Sequence, residues 1–164
     1  MCGLAGIFGD GARNAALLTA MAEAIAHRGP DDEGIWADEE AAIGLAHRRL
    51  SILDLSPMGH QPMASADGRF VIAYNGELYN HLAIRAELQA KRQIEWRGHS
   101  DTETLIEAIA EWGLADALER ALAMPREERV ARWRSLLDNV TRQDVIWWRN
   151  RFITALAMTG DETG

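Results

Sequence analysis

Cys2 is the single cysteine of this 164-residue chain and follows the initiating methionine directly. Methionine ahead of a small side chain is normally trimmed, which would leave the cysteine with a free α-amine of pKa about 7.7–8.0. Such an amine can take the thiol proton itself, so nucleophile and base would share one residue. A cysteine at position two is otherwise incidental, and it gains weight only from companions. Tyr74–Asn75–Gly76–Glu77 follows an apolar run. Asn–Gly there is first of all a turn signal. Alternatively, the Asn75 side-chain amide and the Gly76 backbone N–H point the same way and form an oxyanion hole. Arg48–Arg49 follows a second apolar run. Paired arginines commonly face solvent, yet one guanidinium can grip a carboxylate bidentately. Asp101 reads as a favourable charge at a helix start, or as a carboxylate offered to a substrate ammonium.

These residues need elements to hold them. Gly3–Phe8, Ala41–Ala46 and Phe70–Tyr74 read as buried strands bounded by Gly, Asp or Asn. Leu17, Leu18, Met21 and Ile25 recur at helical spacing, and His27–Pro30 closes that helix. Asn80 is placed to cap a second helix running through Ala90. Ser100 followed by Glu103 forms a capping box, ahead of an apolar face of Leu105, Ile106, Ile109 and Trp112.

Composition narrows the functional classes. The chain carries 17 basic and 25 acidic side chains, for a net charge of −8. That balance argues against a general nucleic-acid or acidic-membrane binder, since both need net positive surface. One cysteine excludes an intrachain disulfide framework. His27, His47, His60, His81 and His99 are scattered without ligand spacing, so neither a metal nor another cofactor is expected. There is no eighteen-residue apolar run and no signal-peptide pattern at the start, so a soluble, cytoplasmic protein is the expectation. Charge and glycine both change near Gly113. Residues 1–113 hold 9 basic and 17 acidic side chains, the whole of the net charge, while residues 114–164 hold 8 of each. No glycine lies between Leu114 and Thr159. Two regions are therefore expected, 1–113 and a helical tail over 114–164. In the tail, Val130, Trp133, Leu137 and Val140 form one stripe, and Val145, Trp148, Phe152 and Leu156 another. These positions offer packing rather than chemistry.

Five motifs in order carry a family resemblance. They are Cys2–Gly3–Leu4–Ala5–Gly6, His27–Arg28–Gly29–Pro30, His47–Arg48–Arg49–Leu50–Ser51–Ile52–Leu53–Asp54, Asn75–Gly76–Glu77–Leu78–Tyr79–Asn80 and Ser100–Asp101–Thr102–Glu103. Together, residues 1 to about 113 resemble the glutaminase domain of asparagine synthetase, a class II glutamine amidotransferase with the N-terminal nucleophile fold. The resemblance implies L-glutamine as substrate, with its side-chain amide hydrolysed and ammonia passed to a separate synthetase or acceptor domain. It makes Cys2 the nucleophile that forms a γ-glutamyl thioester, and Asn75 and Gly76 the oxyanion hole. It gives Arg49 the α-carboxylate, Ile52 and Leu53 backbone contacts, and Glu77 and Asp101 the surroundings of the α-ammonium. The charges suit the zwitterion of glutamine.

After Trp112–Gly113 the family pattern would continue into a Gly-Met-Phe-Ala-Phe-type strand and an Arg-Asp strand, and neither is present. The pyrophosphate loop of the synthetase half is absent too, so no ATP-dependent asparagine synthesis is expected. Residues 114–156, with Met124–Pro125–Arg126–Glu127–Glu128–Arg129, resemble the closing C-terminal helices of trehalose-6-phosphate synthases, which carry no catalytic group. The expected fold is α+β: a partial αββα sandwich with incomplete sheets, followed by a helical tail. Missing inner strands leave sheet edges unpaired and apolar faces open. They also threaten an oxyanion geometry sensitive to shifts of about 1 Å. Impaired glutaminase activity is one expectation; a non-catalytic domain acting through a partner or self-association is the alternative. A trehalose-6-phosphate synthase fragment is the poorest reading.

Overall fold

The computed structural model describes residues 2–51, 55–123 and 125–142. They form an α+β structure with two small sheets and five α-helices. Two compact units divide the chain, Met1–Ala123 and Met124–Gly164.

In the first unit, β1 (Gly3–Phe8), β2 (Asp32–Asp38) and β3 (Ile43–Arg49) make an antiparallel sheet in the order β1-β3-β2. Helix α1 (Ala15–Ala24) follows, capped by the Asn14 side chain, which accepts from the Leu17 N–H. It lies on the face that carries Gly3, Ile7 and Gly44. Gly44 is required there, because a Cβ would meet Leu18 Cδ1 at 2.7 Å. Leu18 is accordingly fully buried. On the opposite face, the rung Leu4–His47–Gly34 is met by the chain at Gln61, whose carbonyl would collide with any Cβ on Gly34. Further along that face Phe8 stays 82% exposed.

The predicted strand at Gly3–Phe8 is β1 as read. The one at Ala41–Ala46 is shifted to Ile43–Arg49, because Ala42 occupies a positive-φ turn position and the Ala41 N–H bonds to Asp38 Oδ1. Phe70–Tyr74 shrinks to β5 (Val71–Ile72), paired with β4 (Met63–Ala64). β2 had no sequence signal, since Asp32, Glu33, Gly34 and Asp38 are poor strand formers. Its place at the edge lets those polar side chains reach solvent.

Helices α2 (His81–Lys91), α3 (Asp101–Trp112) and α4 (Leu114–Leu122) enclose a core of Leu78, Ile84, Leu88, Ile94, Leu105, Ala108, Ile109 and Ala117. α3 is buried along Asp101–Ala110 on every face. Its Glu103 is therefore neutralised internally, accepting from the N–H groups of Arg97 and Gly98 and pairing with Arg85. Ser100 caps the helix through the Thr102 N–H, while Glu103 reaches to those upstream amides, so the reciprocal arm of the predicted box is redirected. Asn80 stands at the start of α2 without capping it. Its side chain donates to the Arg120 carbonyl at 2.9 Å and ties α4 to α2. Gly113, at φ 83°, ends α3 and opens α4. The first compact unit thus extends ten residues past the change in composition.

The second unit contains α5 (Arg126–Arg142), on which Trp133 and Leu137 are exposed. The Val140 side chain and the expected helix around Val145–Leu156 lie outside the described residues. No helix among the described residues is long and apolar enough to cross a membrane.

Candidate active site

The ladder of β1 with β3 sets Gly3 opposite Arg48, and so brings Cys2 to the end of β3. Three contacts fix it. The Cys2 carbonyl accepts from Arg28 Nε at 3.2 Å. Its Sγ accepts from the Leu50 N–H at 3.3 Å and lies 3.6 Å from the Leu50 carbonyl. Gly29 permits this closeness, because a side chain there would strike the Arg48 carbonyl. Cys2 is half-buried, with the Leu50 N–H aimed at its sulfur.

Cys2 opens on a cleft of about 270 Å³ that is also lined by Arg49, Asn75, Gly76, Glu77 and Asp101. Six of the eight site residues read from sequence are thus brought to one cavity. Ile52 and Leu53 lie outside the described residues. The volume falls below the roughly 300–1,000 Å³ of drug-sized pockets and suits a small metabolite.

Arg49, the last residue of β3, is buried, and its guanidinium crosses directly over Gly59. Its Nη1 donates to the Ser56 carbonyl at 2.9 Å. Arg49 also lines a second cavity, about 520 Å³, bordered by Asp31, Asp32, Ser51 and His60. There His60 Nδ1 meets Asp32 Oδ2 at 2.8 Å.

Asn75, Gly76 and Glu77 form an exposed arc. The Tyr74 ring lies close over Gly76, where a Cβ would come within 2.5 Å of its Cζ. Asp101, expected as a carboxylate open to an ammonium, is buried and already engaged: Oδ2 accepts from the Leu78 N–H at 2.7 Å and Oδ1 from the Thr102 N–H at 2.8 Å. An ionised carboxylate has about four acceptor positions, so capacity for a cation remains. Burial, followed by the negative charges of Asp101 and Glu77, pushes the Tyr74 hydroxyl up. It therefore stays neutral near pH 7. Burial likewise lowers the pKa of His47, against the raising effect of its hydrogen bond to the Tyr74 carbonyl.

Gln61, Tyr74, Tyr79 and Thr102 also line the cleft, and none was singled out as a site residue from sequence. Gln61 carried no signal, since a glutamine beside a proline is common. His47 stands in the sequence as one of five scattered histidines, and nothing there marks it as buried. Among the described residues, no group of three or more His, Cys, Asp or Glu side chains could hold a metal ion. Chemically, the cleft sets a thiol near an amide-bearing arc, with a guanidinium and two carboxylates available to the charged ends of a small zwitterion.

The family model for a glutamine amidotransferase domain matches residues 1–124. Asparagine synthetase [glutamine-hydrolyzing] 1 of Bacillus subtilis is 40% identical over 111 residues, covering 65% of this chain and 17% of that protein. A putative asparagine synthetase of Methanocaldococcus jannaschii is 39% identical over 132 residues, 69% of this chain and 24% of its own length. Amidase chry2 of Gibberella zeae is 38% identical over 107 residues, 65% of this chain and 16% of its own. The chain thus spans about a quarter or less of these curated relatives. The resemblance of residues 1 to about 113 to asparagine synthetase glutaminase domains holds, and the matched region continues through α4. This chain belongs to the glutamine amidotransferase domain family.

Proposed function

We propose that this chain is a glutaminase that hydrolyses the side-chain amide of L-glutamine through Cys2, within a partial N-terminal nucleophile sandwich. The observation that carries this reading is the single cleft lined by Cys2, Arg49, Asn75, Gly76, Glu77 and Asp101. With Met1 removed, the α-amine of Cys2 takes the thiol proton and Sγ attacks the amide carbon. The resulting oxyanion is held by the Asn75 side-chain amide and the Gly76 N–H, two donors worth a few kcal/mol each in the transition state. The α-ammonium of Cys2 returns the proton to the departing nitrogen, which leaves as ammonia. Water then cleaves the γ-glutamyl thioester, giving glutamate and the free thiol. Arg49 holds the α-carboxylate, while Glu77 and Asp101 hold the α-ammonium; Ile52 and Leu53 add backbone contacts. The ammonia serves a separate synthetase or acceptor domain in the cytoplasm.

Trimmed protein, its N-terminus verified by intact mass, should release glutamate from glutamine and should lose this activity in Cys2→Ala. A glutamine-like diazo-ketone should label Cys2 covalently. Absence of both turnover and labelling would end the reading.

A second reading is favoured by exposed apolar side chains on the edge strand β1, where Leu4 is 48% and Phe8 82% exposed. In it the domain is non-catalytic and self-associates through that strand. Light scattering decides it, since a monomer at high concentration would exclude it.

A further inference from the structure

Tyr74 is the residue that precedes the exposed arc, and both of its backbone polar groups are held by side chains from distant parts of the chain. Its N–H donates to Gln61 Oε1 at 2.6 Å. Its carbonyl lies 3.2 Å from His47 Nε2. At the other end of the arc, the Leu78 N–H donates to Asp101 Oδ2. Asn75, Gly76 and Glu77 are exposed between these anchors, whereas His47, Gln61, Leu78 and Asp101 are all buried. Among the described residues, β5 stops at Ile72, so no strand ladder fixes Tyr74 or the arc. Its direction depends on the side-chain anchors.

Donor chemistry fixes how the anchors are oriented. A backbone N–H meets only an acceptor, so the oxygen of the Gln61 carboxamide must face Tyr74. The Nε2 then faces Thr102 Oγ1, at 3.2 Å. Thr102 neighbours Asp101 at the start of α3, so one helix end steadies both the entry and the exit of the arc. A carbonyl only accepts, so His47 must carry its proton on Nε2; its Nδ1 is buried without a partner.

We infer that Gln61 and His47 are positioning residues, clamping the two polar groups of Tyr74 so that Asn75 and the Gly76 N–H converge on the cleft. Gln61 holds the Tyr74 N–H through Oε1 and Thr102 through Nε2, so it bears on the site through the arc. The catalytic consequence rests on the glutaminase reading above; the clamp itself does not.

Two measurements separate these. The first is amide hydrogen exchange at Tyr74 by NMR. Gln61→Met, similar in volume but without an acceptor, should exchange at least tenfold faster, and Gln61→Glu, which still accepts from the Tyr74 N–H, should restore protection. The second is glutamine turnover per Cys2 labelled by the diazo-ketone. Gln61→Met should lower kcat about 10- to 100-fold with KM within twofold, because oxyanion contacts act in the transition state and tolerate little displacement. Gln61→Glu should recover most of that loss. His47→Leu against His47→Gln, which keeps an Nε2–H donor, repeats the comparison on the carbonyl side and decides the matter if Gln61→Met does not fold. Unchanged Tyr74 exchange, unchanged kcat per labelled site, or failure of the conservative variants to rescue would each overturn the clamp. If the wild-type protein shows no turnover, the glutaminase reading falls, and the exchange data alone still decide the clamp.

Discussion

Replacing Gly59 by alanine adds one methyl group at the point where the Arg49 guanidinium crosses the backbone. A Cβ built there lies 2.5 Å from Arg49 Cζ and 3.1 Å from Nε. Ordinary carbon contacts are about 3.5–4.0 Å, so the guanidinium must retreat by about 1 Å. Gly59 does not occupy a positive-φ conformation, so alanine brings no backbone strain of its own. The atoms in the way belong to the end of a side chain, which can move without unfolding the sheet. Arg49 is also tethered by its 2.9 Å bond to the Ser56 carbonyl, which limits the directions open to it. A retreat of that size breaks a bidentate grip on a carboxylate, since hydrogen bonds to charged groups need donor–acceptor distances near 2.8 Å. Such bonds contribute about 1.5–3 kcal/mol, or roughly 10- to 150-fold in affinity.

Gly59→Ala should therefore raise KM for glutamine about 10- to 150-fold and leave kcat within about threefold, because the α-carboxylate lies away from the reacting amide. Steady-state glutamate release at varied glutamine measures both constants. 4-Aminobutanamide, which lacks the α-carboxylate, should be turned over equally by variant and wild type. Gly34→Ala is a contrast: its Cβ would strike the Gln61 carbonyl and the His60 ring, so it should lower thermal stability and, by displacing Gln61, kcat rather than raise KM. A fall in kcat at constant KM, or an equal loss on 4-aminobutanamide, would refute the assignment of Arg49 to the carboxylate.

Asp101→Asn turns one acceptor oxygen into a donor facing a buried N–H, of Leu78 or Thr102, and should cost about 1–3 kcal/mol in urea denaturation while also raising KM. Glu103→Gln removes a buried charge that serves Arg85, Arg97 and Gly98. It should destabilise by about 3–5 kcal/mol with KM unchanged in the fraction that remains folded. His47, whose pKa is lowered by burial, binds a proton more readily when unfolded. Its contribution to stability is present above about pH 6.5 and is lost as pH falls below it. Melting temperatures should drop from pH 7 to 5 more steeply in wild type than in His47→Gln, and equal slopes would contradict the burial of a neutral ring.

The residues with chemistry were legible because their types restrict what they can do. A lone thiol at position two, an Asn–Gly pair, a double arginine and a carboxylate behind Ser100 each allow few roles, and their order along the chain narrows these further. The elements were legible where apolar pattern decides them, as in β1 and α3. They were not where position in the sheet decides, as in β2, whose acidic residues are tolerated only at an edge. The supports of the site were least legible, because they work through common properties: an amide at Gln61, a missing side chain at Gly59, a buried ring at His47. Each acquires meaning only beside a partner distant in sequence, Tyr74 for Gln61 and His47, Arg49 for Gly59. The same distinction alters the concern about incomplete sheets. That concern treats strand pairing as the hold on Asn75, yet β5 ends before it, and the arc is anchored by Gln61, His47 and Asp101. The oxyanion donors proposed at Asn75 and Gly76 therefore depend on these side chains, so any weakness in the proposed site should appear first as loss of their hydrogen bonds.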